Sequence, residues 1–108
     1  KDELDIETSF NLEALEADKI LDARVKVTNN TSIEEPVLAI VALYDQNNRM
    51  VNISYISKVI SIGATDNLNA GFMLPSDITG HRVQVFVWDG DSLRTSNMTP
   101  LSKVVKLY

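Results

Sequence analysis

The chain has 108 residues, of which 44% are hydrophobic and 23% are charged, and its formal net charge is −5. This length and apolar content fit one folded domain and exclude a disordered chain, while the acidic balance disfavours nucleic acid and anionic membrane surfaces as partners. There is no cysteine, and the longest apolar run, residues 36–44, is far shorter than the roughly 20 residues that a membrane-spanning helix needs.

The N-terminal third is predicted to contain two strands. Residues 21–28 read Leu-Asp-Ala-Arg-Val-Lys-Val-Thr, so apolar and polar side chains alternate with the period of a half-buried strand. Residues 5–12 alternate in the same way and are a candidate first strand. Residues 13–19 are helix-friendly but too few for a stable helix. We predict that they form a connection with at most one helical turn.

The middle of the chain is predicted to contain a central strand and a hairpin. Residues 37–44 are apolar at successive positions, which predicts a central strand covered on one face and partly covered on the other. The polar residues 45–49 that follow favour a tight turn. Residues 50–56 and 57–62 are two further β-prone runs, which we interpret as separate short strands.

The C-terminal part adds three more predicted strands. Residues 67–74 alternate, residues 82–89 are the most β-prone stretch of the chain, and residues 103–108 form a last short strand. About seven or eight short strands without a long helix predict an all-β, two-sheet antiparallel sandwich of the immunoglobulin-like or fibronectin III-like class. We expect Val85 to face its core, so that Val85→Asp prevents folding.

Few residues have the context of a reactive site. His81 is the only histidine, so it cannot form a metal centre by itself, and we interpret it as a surface or loop residue. Asp89 and Asp91 are spaced like two calcium ligands, but a calcium loop needs more oxygens, so a turn that ends the strand is the favoured interpretation. We predict no catalytic residue, no metal, no cofactor and no enzymatic activity.

The aromatic residues are the more promising candidates. If the valines of residues 82–89 face the core, Phe86 and Trp88 lie together on the opposite face, and Tyr44 is a third candidate for that face. Exposed flat rings would make a platform on which sugar rings stack. The alternative is that the N-terminal segment or the loop of residues 91–98 covers Phe86 and Trp88, because large aromatic side chains contribute most when buried.

Five short motifs occur in an order that resembles a known group of domains. The resemblance is to immunoglobulin-like or fibronectin-type accessory modules of large secreted and cell-surface proteins of Gram-positive bacteria, and it covers residues 21–108. The motifs are Val-Thr-Asn-Asn-Thr (27–31), Leu-Tyr-Asp (43–45), Phe-Met-Leu-Pro (72–75), Val-Phe-Val-Trp-Asp (85–89) and Thr-Pro-Leu-Ser (99–102).

The resemblance implies a non-catalytic module that spaces, supports or attaches neighbouring domains of the same chain. We therefore expect residues 1–108 to be one domain excised from a longer multidomain chain, located outside the cell or at its surface, and monomeric. Two alternatives stay open. One is a carbohydrate-binding module that holds polysaccharide on Tyr44, Phe86 and Trp88, and the other is adhesion or self-association through an exposed strand edge.

Overall fold

The computed structural model describes residues 3–92, 94, 96 and 99–108. In this part of the chain, seven strands form a three-stranded sheet of order β1-β2-β5 and a four-stranded sheet of order β4-β3-β6-β7, with antiparallel pairing throughout. The predicted all-β, two-sheet antiparallel sandwich is confirmed. The strands are β1 (Leu4–Phe10), β2 (Ile20–Asn29), β3 (Glu35–Tyr44), β4 (Met50–Ile60), β5 (Thr65–Met73), β6 (Arg82–Asp89) and β7 (Val105–Leu107).

The structure differs from the predicted elements between β3 and β5. Residues 50–60, predicted to belong to two separate strands, form the single strand β4, because Ser57 and Lys58 continue the ladder opposite Leu38 and Val37. Residues 13–19 form a connection without a helical turn, in agreement with the prediction of at most one such turn. The buried side chain of Leu15 packs against the core from this connection, and its N–H donates to the carbonyl of Tyr108 at 3.0 Å.

The core lies between the two sheets and is built by the alternation of the strands. In β2 the odd-numbered residues from 21 to 27 are buried, and in β6 the buried residues are Val83, Val85 and Val87. Val85 is paired with Val41 of β3 and Val105 of β7, so it lies at the middle of the four-stranded sheet and packs in the core.

Strand β3 is the predicted central strand, and it is buried on both faces, whereas one face was predicted to be only partly covered. Its odd-numbered residues from 37 to 43 belong to the core between the sheets. The even-numbered residues Leu38, Ile40 and Ala42 point to the opposite face of the sheet and are also almost fully buried. The outward side of this sheet therefore carries a second set of apolar side chains.

One salt bridge joins the two sheets where their edge strands β4 and β5 run side by side. The Nζ atom of Lys58 lies 3.1 Å from Oδ1 of Asp66 and also donates to the carbonyl of Asn67 at 2.8 Å. A charged side chain that points inward from an edge strand discourages pairing with another strand. The β4 edge is therefore partly protected by its own sequence.

Candidate functional site

The outward side of the four-stranded sheet is apolar across three strands. Because β3 pairs with β4 and with β6, Ile40 lies between Tyr55 and Phe86, and Leu38 lies between Ser57 and Trp88. We call this surface the outer face. Its apolar members are Leu38, Ile40, Ala42, Ile53, Tyr55, Val59, Phe86 and Trp88.

The outward side of the three-stranded sheet has the opposite character. The register of β1, β2 and β5 places polar and charged side chains along most of this surface. They are Asp5, Glu7, Ser9, Asp22, Arg24, Lys26, Thr28, Thr65, Asn67 and Asn69. An antiparallel sheet that faces water usually alternates apolar side chains inward and polar side chains outward. The three-stranded sheet follows this rule, and the four-stranded sheet does not.

The three residues of the predicted platform lie on the outer-face side of the sheet, but their rings do not form a flat row. Phe86 and Trp88 are both half-buried, their centroids are 5.8 Å apart, and their planes are tilted by 51°. The Cζ atom of Arg82 lies 4.7 Å from the centroid of the Tyr44 ring, so the guanidinium covers one side of that ring. Carbohydrate binding by these rings stays a prediction.

The sequence suggested two segments as covers for Phe86 and Trp88, and only one of them lies near the outer face. The N-terminal strand β1 belongs to the three-stranded sheet and does not cover the outer face. The loop after β6 does reach it, since the hydroxyl of Ser57 donates to the carbonyl of Asp91 at 2.7 Å, beside Leu38. Of the loop of residues 91–98, positions 93, 95, 97 and 98 lie outside the described residues.

Sequence reasoning missed the most exposed apolar part of the outer face. Ile53, Tyr55 and Val59 are 40%, 54% and 55% exposed, and all three project from β4 on the same side. The sequence did contain a signal for this surface, because apolar residues recur at alternate positions within residues 50–60. Dividing this stretch into two runs hid the continuous strand that places these side chains on one face.

A second candidate site lies at one end of the sandwich. A cleft of about 540 Å³ opens between the β3–β4 hairpin, residues 45–49, and the β5–β6 loop, residues 74–81. We call it the end cleft. Its lining mixes polar and apolar side chains, namely Leu43, Asp45, Gln46, Asn47, Arg49, Val51, Asn52, Met73, Pro75, Asp77, Thr79 and His81.

Asp45 holds the hairpin wall of the end cleft in shape. Its Oδ1 accepts hydrogen bonds from the backbone N–H groups of Asn47 at 2.8 Å and Arg49 at 3.0 Å, and its Oδ2 accepts from Nε of Arg49 at 3.2 Å. Hydrogen bonding from the backbone of Arg49, and then from that of Asn47, lowers the pKa of Asp45, although partial burial opposes the shift. Asp45 thus forms the turn predicted for residues 45–49.

The opposite wall of the end cleft is set by the loop before β6. Oδ1 of Asp77 accepts from the N–H of Thr79 at 3.0 Å, which lowers the pKa of Asp77. Nδ1 of the half-buried His81 lies 3.0 Å from the carbonyl oxygen of Thr79. A carbonyl can only accept, so Nδ1 carries a proton in this contact, and Nε2 is the ring nitrogen that remains for another partner.

Gly80 allows the two walls to meet. Its φ is +70°, a left-handed conformation that glycine adopts without strain. A Cβ atom at this position would lie 2.6 Å from Cβ of Gln46 in the hairpin. The β5–β6 loop therefore packs directly against the hairpin at this point.

Asp89 is held within the loop that follows β6. Its Oδ1 accepts from the N–H of Thr99 at 3.1 Å and from the hydroxyl of Ser96 at 3.3 Å, and Gly90 takes a φ of +103°. Asp89 thus ties the end of β6 to residues further along the loop. Among the described residues, no three His, Asp or Glu side chains are placed to hold a metal ion. The same part of the chain has no helix with the length and apolar character of a membrane span.

The comparisons with known proteins identify the fold and no family. No protein-family model matches the chain, and no curated protein matches it significantly. Among solved structures, the chain is similar to the alkylpurine DNA glycosylase AlkC from Pseudomonas fluorescens, which was solved bound to DNA containing an abasic site analogue. The TM-score is 0.64 at 10% sequence identity, over 98% of this chain and 30% of the glycosylase chain.

Two further solved structures have the same fold. The C-terminal domain of Wzt has a TM-score of 0.62 at 15% identity, over all of this chain and 74% of that domain. A candidate β-galactosidase from Bacteroides fragilis has a TM-score of 0.54 at 17% identity, over 96% of this chain and 15% of that chain. At these identities the similarity concerns the fold alone. The chain spans less than a third of both the glycosylase and the candidate β-galactosidase.

Proposed function

We propose that this chain is a non-catalytic accessory module of a larger secreted or cell-surface bacterial protein, and that its outer face docks against a neighbouring domain. The observation that carries the proposal is the contrast between the two sheets. One outward surface is polar except for the pair Ile20 and Met73 at one end, and the other presents Ile53, Tyr55 and Val59 around an apolar central strand.

The physical argument rests on the exposed side of β4. Single exposed apolar side chains are ordinary on a monomer, but contiguous apolar patches mark interaction sites. Ile53 and Tyr55 lie next to one another along the same face of the strand, and Tyr55 pairs across to Ile40. A neighbouring domain that covers these side chains would remove them from water, which stabilises the pair of domains.

The topology supports a fibronectin-type module, and the comparisons support a place for it within a longer chain. The fourth strand pairs with the third strand instead of joining the sheet of the first, second and fifth, whereas a constant-type immunoglobulin domain keeps four strands in the first sheet. In the glycosylase and in the candidate β-galactosidase, a domain of this fold is a small part of a longer chain. This is the setting in which the outer face would have a neighbour.

The proposal is tested by substitution on the outer face of the parent polypeptide. Tyr55→Ser combined with Val59→Ser should increase protease cleavage between the domains, because the docked arrangement loses its apolar contact. Both side chains are more than half exposed, so the isolated chain should lose little stability, on the order of 1 kcal/mol. Lys26→Ser combined with Glu7→Ser on the other sheet is the matched control. Equal cleavage in all three proteins would overturn the proposal.

Self-association through the β4 edge is the second candidate. β4 is an edge strand of eleven residues, and a long apolar edge strand is a template for pairing with another chain. Lys58 opposes this role by pointing inward from the edge to Asp66. We therefore propose a monomer. Sedimentation that shows dimers which Tyr55→Ser abolishes would favour self-association instead.

A further inference from the structure

We propose that the end cleft is a binding site for a neutral saccharide, formed by the β3–β4 hairpin and the β5–β6 loop. This site is separate from the outer face and does not depend on the proposed docking role. Its volume of about 540 Å³ lies within the range of small-molecule sites. The open shape suits a disaccharide that enters from solvent.

The charged groups of the cleft are engaged within its own walls. The carboxylate of Asp45 is paired with the Nε atom of Arg49 at 3.2 Å and also accepts two backbone hydrogen bonds. Its oxygens are therefore committed to the hairpin and are poorly placed to hold a cation. On the other wall, Oδ1 of Asp77 accepts a hydrogen bond from the N–H of Thr79 at 3.0 Å. A ligand that brings no charge of its own fits these engaged groups better than an anion or a cation.

The remaining polar groups match the chemistry of hydroxyls. A sugar hydroxyl is both a donor and an acceptor, and so are the side-chain amides of Gln46, Asn47 and Asn52 that line the cleft. Nε2 of His81 adds a further polar atom for a hydroxyl, because Nδ1 is already engaged with Thr79. These groups come from both walls, so they can bind different edges of one sugar ring.

The apolar lining supplies the second feature that sugar rings require. Met73 is 62% exposed and Val51 is 50% exposed, although both line the cleft. The C–H faces of a pyranose are apolar and pack against such side chains. The hydrogen bonds of Asp45 and the contact between Gly80 and Gln46 hold the two walls in place before a ligand arrives, which lowers the entropic cost of binding.

The test is a nuclear magnetic resonance titration of the isotope-labelled chain with cellobiose, maltose, xylobiose and lactose. We expect at least one of these sugars to produce saturable shifts in the amide signals of Gln46, Asn47, Thr79 and His81. The amide signals of Tyr55, Phe86 and Trp88 should stay unchanged. Shifts on the outer face without shifts in the cleft would overturn the proposal, and so would the absence of cleft shifts with all four sugars.

Two variants then test the named contacts. Asn47→Ala and His81→Ala should each weaken binding about tenfold, since losing one good hydrogen bond costs roughly 1.4 kcal/mol. Asn30→Ala is the matched control, because Asn30 is an exposed asparagine in the β2–β3 loop, outside the cleft lining. Unchanged affinity in both cleft variants would contradict the site. Protease cleavage between the domains is measured in a separate experiment. A failure of the docking proposal there would not change the interpretation of the sugar titration.

Discussion

At the scale of single residues, Asn29 shows how one buried amide can organise a loop. Its side chain is fully buried, and Nδ2 donates to the carbonyls of Ile33 at 2.8 Å and Ile60 at 2.9 Å. Oδ1 accepts from both the backbone N–H and the hydroxyl of Thr31. The last residue of β2 therefore fixes the loop before β3 and the end of β4 together.

Replacing Asn29 with alanine should destabilise the chain by about 2–4 kcal/mol, because several buried backbone groups lose their partners at once. Urea unfolding followed by circular dichroism measures the change. Asn30→Ala, one residue further along, removes an exposed side chain and should change stability little. Similar stability for the two variants would show that the buried amide contributes nothing.

At the scale of elements, β6 tests the assignment of the core. Val85 is fully buried between Val41 and Val105, so Val85→Asp places a charge where no partner exists. We expect a loss of at least about 4 kcal/mol and the absence of a cooperative thermal transition.

The neighbouring residue Gln84 gives the matched control. Its Oε1 accepts from Nε of Arg82 at 2.7 Å on the outward side of the sheet, and Gln84→Glu keeps that acceptor. This variant should unfold at nearly the same temperature as the parent chain. If Val85→Asp instead unfolds cooperatively at nearly the temperature of the parent chain, Val85 points outward and the assignment of the core face of β6 is wrong.

The β3–β4 hairpin predicts a pH dependence of stability. The folded pKa of Asp45 lies below its ordinary value of 3.8, so ionised Asp45 stabilises the fold above that value. This contribution is lost as the pH falls through the folded pKa. Urea unfolding should give Asp45→Asn a lower stability than the parent chain at about pH 7, and the difference should narrow below about pH 3.8. A difference that is constant with pH would contradict this role.

The strands also show how far sequence reasoning reaches. The alternation of β2 and β6 predicted which side chains face the core, since period 2 is a local property of the chain. The same alternation predicted that Phe86 and Trp88 lie together on the side of β6 opposite the core. The tilt of their rings and the stacking of Arg82 on Tyr44 depend on packing between strands. The end cleft was missed because Gln46 and Gly80 come from loops that are distant in the sequence.

At the scale of the whole molecule, the sandwich has two unlike sides. A polar surface such as that of the three-stranded sheet keeps a protein soluble, whereas the outer face of the other sheet leaves Tyr55 more than half exposed among apolar neighbours. The end cleft lies at the rim between the two sheets, with lining residues from β3, β4 and β5. The two proposals therefore concern separate parts of the molecule, the docking of a neighbouring domain at the outer face and the binding of a small ligand in the end cleft.

Hydroxyl-radical footprinting of the isolated chain and of its parent polypeptide tests the docking of the outer face most directly. We predict that Tyr55 is oxidised readily in the isolated chain and is protected in the parent polypeptide. Met73, which is 62% exposed and lies on the three-stranded sheet, should be oxidised equally in both and serves as the internal control. Equal oxidation of Tyr55 in the two proteins would contradict the account.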